Sequence, residues 1–214
     1  MKLFLASDAG NPETLDRLGK ELHGFRGRKI VYIPTASNGV FDWGFWKIKR
    51  DGTWKLVNNL GAEVKAVQLE DYKNNLVTKE LEGQDVIWFA GGAAGYLAYW
   101  IRRCSLDIYM DSLLGKNTWY VGSSAGSMVA GETLQVATWD FVDAERGAEN
   151  IEPMHLVDFD IFPHFEDTQL NKIKKNYTGS KLYLLKDGEE IIVKDDKITV
   201  VGEERVIEKC LPRS

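Results

Sequence analysis

The run Asp85–Ala90, DVIWFA, shows almost no polar alternation. A strand of that kind is covered on both faces of its sheet. That requirement constrains the rest of the chain, because a sheet covered on both sides needs helices between its strands. The sequence supplies both kinds of element. Lys2–Ala6, Lys29–Pro34, Glu63–Leu69 and Thr118–Val121 read as further strands. Asn11-Pro12 offers an N-cap with proline at the first helical position, and Leu15, Leu18 and Leu22 then recur on one helical face. Gly95–Arg103 and Leu106–Leu114 are helical in pattern. Trp43, Trp46, Trp54 and Val57 give one or two helices, interrupted near Asp51-Gly52, with an aromatic face expected in the core. Such alternation predicts an α/β fold with a doubly wound, mostly parallel sheet.

The pattern changes after about Thr133. Met154–Phe162 is apolar with interspersed acids and ends at Pro163, and Thr168 is placed to cap a helix carrying Leu170, Ile173 and Tyr177. The tail then reads as short strands, Leu182–Leu185, Glu190–Val193, Ile198–Val201 and Val206–Ile207. Asp187-Gly188, Asp195-Asp196 and Gly202 separate them as hairpin turns. This predicts a C-terminal antiparallel extension on the same sheet. No Pro- or Ser-rich linker precedes it, so residues 1–214 are expected to form a single domain, as a chain of this length allows.

Charge and cysteine usage narrow the functional classes. With 27 Lys and Arg against 32 Asp and Glu, the formal net charge is −5, which speaks against a nucleic-acid partner, since phosphate binding calls for a basic face. Cys104 and Cys210 are too few for a disulfide framework or an all-cysteine zinc site and read as reduced thiols. The opening MKLFLAS has an apolar run too short for a signal peptide. No run reaches the ~18 apolar residues of a membrane span. A cytoplasmic protein is expected.

Chemistry concentrates in Thr118–Glu132, TWYVGSSAGSMVAGE. A strand runs into Gly122-Ser123-Ser124-Ala125-Gly126, and a helix follows. This is a G-x-S-x-G sequence in the strand–turn–helix setting of a nucleophile elbow. The glycines permit a sharp turn that lifts Ser124 Oγ above the C-terminal edge of the sheet. The Ala125 amide, at the helix N-terminus, is placed to stabilise an oxyanion. Ser123 should point back toward the sheet, and Ser127 falls in the first helical turn, where a hydroxyl commonly bonds locally.

A serine nucleophile needs a base, and the chain has 3 histidines. His23 ends the first helix and His155 starts an apolar run. His164 sits in Ile161-Phe162-Pro163-His164-Phe165, directly after a predicted strand, where Pro163 fixes the backbone and the aromatics can hold the ring. His164 is the first choice and His155 the second. A further oxyanion amide has to come from another strand end, and Phe89-Ala90-Gly91-Gly92-Ala93 fits. The alternative there is a nucleotide-binding loop, but GGAAG is not G-x-G-x-x-G.

With Ser7 at the first strand end, Pro34, Gly91-Gly92, Gly122–Gly126 and Phe162-Pro163-His164-Phe165 in this order, the chain resembles the dipeptidase E (aspartyl dipeptidase)–cyanophycinase family of serine peptidases over roughly residues 1–210. The resemblance implies a fold like that of class I glutamine amidotransferases, with Ser124 as nucleophile, His164 as general base, and Gly92 and Ala125 as oxyanion donors. The family's dipeptidases carry an aspartate about fifteen residues after the serine, which implies Asp140 as the third triad member. Asp143, Asp160 and Glu166 are its rivals. The resemblance further implies hydrolysis of short peptides through an acyl-enzyme, with no metal or organic cofactor. Two departures bear on specificity. Ala93 and Ala94 replace polar residues after the glycine loop. The stretch Phe165–Lys172 lacks the arginine that binds an aspartyl carboxylate, leaving only Lys172, Lys174 or Lys175 nearby. An α/β-hydrolase-type esterase and a non-catalytic small-ligand-binding domain on the same scaffold are the alternative readings.

Overall fold

The computed structural model describes residues 1–40, 52–72, 74–115, 117–141, 145–195 and 197–209. Trp43, Trp46, Asp51, Asp143, Asp196 and Cys210 lie outside these residues. In chain order the elements are β1 (Lys2–Ala6), α1 (Pro12–Glu21), β2 (Lys29–Ile33), α2 (Thr35–Val40), α3 (Gly52–Asn58), β3 (Glu63–Ala66), α4 (Thr78–Leu81), β4 (Val86–Phe89), α5 (Ala94–Arg103), α6 (Leu106–Leu114), β5 (Trp119–Ser123), α7 (Ala125–Met128), β6 (Asp160–Phe162), α8 (Leu170–Asn176), β7 (Lys181–Leu184), β8 (Glu190–Lys194), β9 (Lys197–Val201) and β10 (Val206–Glu208).

The main sheet has seven strands in the order β3-β2-β4-β5-β1-β8-β9. The five from β3 to β1 are parallel to one another, while β8 and β9 continue the sheet antiparallel. The fold is therefore α/β with a mostly parallel sheet, covered on both faces as DVIWFA requires. Leu3, Leu5, Val31, Ile33, Ile87, Phe89 and Tyr120 belong to one core. Phe4, Ala6, Ile30, Tyr32, Val86, Trp88, Trp119 and Val121 belong to the other. Successive residues thus point to opposite, equally dry faces. Leu18 and Leu22 of the α1 region are buried in the second core and Leu15 packs on it. Asn11 caps α1 through its side chain, accepting from the Glu13 amide at 3.0 Å. Trp54 is partly buried on that core, its ring 5.6 Å from that of Tyr32.

Three local expectations change. The third strand ends at Ala66 rather than Leu69, and Leu69–Asp71 turns into a 3-10 helix. Helix α8 is preceded by a 3-10 turn at Asp167–Gln169 that Glu166 caps, forming a capping box with Gln169, so Thr168 lies inside that turn and the residue before α8 is Gln169. Only β8 and β9 of the tail join the main sheet. The other two tail strands form a second sheet in the order β10-β7-β6, in which β6 and β7 run parallel. Asp187-Gly188 therefore links two different sheets and is not a hairpin turn.

This split positions the site. Ala6 pairs with Ser123 and Phe89 with Gly122, so Ser7, Gly91 and Ser124 emerge along the same edge of the main sheet. In the second sheet, parallel pairing of Phe162 with Leu184 sends the chain after β6 and the chain after β7 out of the same end. Backbone bonds from Leu185 N–H to the Phe162 carbonyl (2.9 Å) and from Phe165 N–H to the Leu185 carbonyl (2.9 Å) keep them side by side. The chain then enters β8, whose Glu190 pairs with Ala6, and this brings residues 185–189 to the edge where Ser7 and Ser124 stand.

Candidate active site

Ser124 occupies the turn between β5 and α7 with φ 49° and ψ −108°. That conformation is costly for a residue with a Cβ, and such strain concentrates at functional positions. The flanking glycines make it feasible. A Cβ on Gly122 would stand 2.7 Å from the Gly126 carbonyl, and one on Gly126 would stand 2.3 Å from the Phe89 carbonyl oxygen. Ser124 N–H donates to the Ala6 carbonyl (3.0 Å), and its own carbonyl accepts from Ser127 and Met128 (2.8 and 3.0 Å). The turn is thereby tied to both β1 and α7. Helix α7 is only four residues long, so a local amide, rather than a long helix dipole, is what Ala125 contributes. The rival serines are used structurally. Ser123 Oγ accepts from Ala9 N–H (3.0 Å), and Ser127 Oγ donates to the Ala6 carbonyl (2.8 Å), both buried.

His164 follows β6 and Pro163. Its Nε2 lies 3.0 Å from Ser124 Oγ and its Nδ1 lies 2.7 Å from Asp187 Oδ1. Ser7, fully buried at the end of β1, ties the group together. Its hydroxyl accepts from the His164 backbone N–H (2.7 Å) and donates to the same Asp187 Oδ1 (2.8 Å). The structure thus brings Ser124 and His164 into contact. The acid that meets the imidazole is Asp187, and Asp140 is exposed in the turn after Trp139. Asp160 is buried and accepts from Thr133 N–H and Oγ1 (2.6 and 2.7 Å), with burial raising its carboxyl above the ordinary range. His155 pairs with Glu152 at 2.9 Å, and His23 is exposed beyond α1.

Sequence reasoning missed Asp187 because Asp-Gly between two strand-like runs carries the signature of a hairpin. The segment that carries it is held from behind. Arg17 of α1 donates to both carboxylate oxygens of the fully buried Glu190 (2.5 and 2.9 Å) and also to the Gly188 carbonyl. Burial pushes the Glu190 carboxyl upward and the Arg17 guanidinium pulls against it.

The glycine loop after β4 closes the other side. Gly92 has φ +135°, and a Cβ there would stand 2.3 Å from the Ala36 carbonyl oxygen. The loop is pinned by bonds from Ala93 N–H to the Ala36 carbonyl (2.9 Å) and from Ser37 Oγ to the Gly91 carbonyl (3.0 Å). Ser124, His164 and Gly92 border a cavity of about 740 Å³ whose wall includes Met128, Val136, Phe141 and Glu145. Among the described residues, no group of three His, Cys, Asp or Glu side chains is placed to hold a metal ion, and no helix is long and apolar enough to cross a membrane. Cys104 is buried, its thiol donating to the Leu69 carbonyl (3.4 Å) and pushed up to about 11 by desolvation.

Over most of its length the chain is similar to peptidases. The family model described as Peptidase family S51 matches residues 3–201. The uncharacterized peptidase Lmo0363 of Listeria monocytogenes is 25% identical over 179 residues, covering 81% of this chain and 85% of that protein. Its counterpart Lin0382 of Listeria innocua is 25% identical over 181 residues, covering 81% and 84%. Among solved structures, a candidate peptidase E protein from Listeria monocytogenes EGD-e superposes with a TM-score of 0.76 at 22% identity, covering 94% of this chain and 97% of that one. A peptidase from an acI-B1 Actinobacterium superposes at 0.68 and 20% identity, covering 99% and 91%.

Proposed function

The chain belongs to peptidase family S51, and on that premise we propose that it is a serine peptidase hydrolysing short peptides through an acyl-enzyme on Ser124. The observation that carries this is the relay Ser124 Oγ–His164–Asp187, with contacts of 3.0 and 2.7 Å on the two ring nitrogens. Ser124 Oγ attacks the scissile carbonyl carbon as His164 Nε2 takes its proton. Asp187 accepts from Nδ1–H, which leaves Nε2 free as the base and stabilises the imidazolium that forms. The Gly92 and Ala125 amides receive the oxyanion. Collapse of the tetrahedral species expels the amine, which leaves with the proton held on Nε2. Water, deprotonated by the same nitrogen, then releases the acid and restores Ser124. Asp187 takes the role that the resemblance assigned to Asp140.

A cavity of about 740 Å³ is of the size that encloses a small ligand, which favours short peptides over folded chains. The test is labelling with a fluorophosphonate. Wild type is expected to label at Ser124, with Ser124→Ala unlabelled and His164→Ala labelled far more slowly. Equal labelling of Ser124→Ala and wild type would refute the assignment.

A further inference from the structure

The described lining of the cavity beside Ser124 is largely apolar. Met128, Val136, Ala137, Phe141, Phe162 and Pro163 line it. The aromatic part is fixed by stacking, Trp139 on Phe141 at 5.5 Å and Trp139 on Phe162 at 5.8 Å. Among the described lining residues Glu145 is the one carboxylate, and neither Lys nor Arg is present.

Glu145 is not a solvated rim residue. Its Oε1 accepts from Ala94 N–H (2.5 Å), and its Oε2 accepts from Gly95 N–H (2.8 Å) and Tyr96 N–H (3.4 Å). These are first-turn amides of the ten-residue α5, groups that lack intrahelical partners and favour negative charge. The close approach is built in, since a Cβ on Gly95 would stand 2.8 Å from Ala148 Cβ and 3.1 Å from Glu145 Oε2. The protein's own carboxylate thus fills the position in the cavity wall best suited to an anion.

We infer that this cavity takes a neutral, apolar substrate side chain next to the scissile bond and turns away an acidic one, with Glu145 setting the preference. The inference rests on the peptidase reading above. An apolar side chain gains by leaving water for such a wall. An Asp or Glu side chain would lose its hydration there and meet Glu145 in place of free amides. Lys172 stands outside the described lining. It is exposed, its ammonium 5.6 Å from the centre of the Phe141 ring.

The experiment is a dipeptide panel on the intact enzyme, with each position varied in turn through Leu, Met, Phe, Asp and Glu. Active sites are counted by fluorophosphonate titration. The best substrate is expected to carry an apolar residue at one of the two positions, and Asp or Glu there should lower kcat/KM at least tenfold. In Glu145→Gln the ratio of apolar to acidic kcat/KM should shrink at least fivefold, a readout that partial misfolding does not move. An unchanged ratio overturns the role of Glu145. If that variant does not fold, the wild-type panel decides alone, and preferred cleavage of aspartyl or glutamyl dipeptides overturns the inference while leaving the peptidase reading intact. A wild type that neither labels nor cleaves any dipeptide overturns both.

Discussion

Replacing Asp187 by Asn, with Asp140→Asn and Asp187→Ala alongside, separates what the acid does by charge from what it does by position. Ser7 Oγ and His164 Nδ1 both bond to Oδ1 of Asp187 (2.8 and 2.7 Å). An asparagine with its carbonyl oxygen in that place keeps both bonds and the imidazole tautomer, and it loses only the charge facing the imidazolium. With charge centres roughly 4 Å apart, that attraction is about 4 kcal/mol at an effective dielectric of ~20 and about 1 kcal/mol in water. The His164 and Asp187 side chains are 52% and 55% exposed, which puts the value at ~2–3 kcal/mol, a fall in kcat of roughly 30–150-fold. Asp187→Ala also removes the anchor for the ring and should cost about tenfold more. Asp140→Asn should stay within about twofold of wild type, because Asp140 does not meet the imidazole. The assay is dipeptide turnover at saturating substrate, with active sites counted by titration. Loss of activity in Asp140→Asn with retention in Asp187→Asn would refute the assignment of the acid. Equal losses in Asp187→Asn and Asp187→Ala would refute the claim that the shared oxygen orients the ring.

Ser7→Ala removes the hydroxyl that joins Asp187 to the His164 backbone and leaves that N–H without its partner. An unfolding cost of about 1–3 kcal/mol is expected by urea titration, with kcat lowered at least tenfold and KM within about twofold, since Ser7 is buried and meets no substrate. Asp160→Asn tests the pH coupling of a buried carboxyl. Burial raises the Asp160 pKa above its ordinary 3.8, so the native state holds that proton more tightly than the unfolded chain. Its contribution is fully present below the unfolded pKa and fades as pH rises through the folded one. The stability lost in Asp160→Asn should therefore shrink from pH 4 to pH 7 in urea unfolding curves, and a penalty that grows over that range would contradict the sign.

The parallel core was legible because its signal is local. DVIWFA and KIVYIP declare strands with two dry faces, and Asn11-Pro12 declares a helix start. The elbow was legible for the same reason, since Gly122 and Gly126 are demanded by contacts within the strand–turn–helix unit and with the adjacent strand. His164 could be reached because Pro163 and two aromatics mark the end of β6. Asp187 could not. Its position depends on β6 and β7 pairing parallel in a second sheet while β8 returns to the first, and nothing local distinguishes that route from a hairpin. Asp140 was what the family resemblance implied, and in three dimensions that place in the chain is an exposed turn. Glu145 was invisible for a related reason, because its partners Ala94–Tyr96 lie about fifty residues upstream.

The edge that carries Ser124, His164 and Asp187 is held in place by what lies behind it. His164 and Asp187 are half open to solvent, so their mutual attraction is too screened to hold two side chains in register unaided. The groups that hold them are buried. Ser7 and Glu190 are fully inaccessible, and β8 pairs directly with β1 through Ala6 and Glu190. A hydroxyl in a dry site has no competing water, so Ser7 must spend its bonds on the His164 backbone and on Asp187. Glu190, buried at a cost, must keep Arg17, and Arg17 in turn fixes the carbonyl of Gly188, the residue after the acid. Orientation is thus supplied by interactions that each have a fully buried partner, Ser7 or Glu190, and the solvent-facing side of His164 and Asp187 is left open. Loss of the Arg17–Glu190 pair should on this logic loosen the Asp187 segment before it disturbs the elbow, since Ser124 is tied to β1 and α7 by its own backbone.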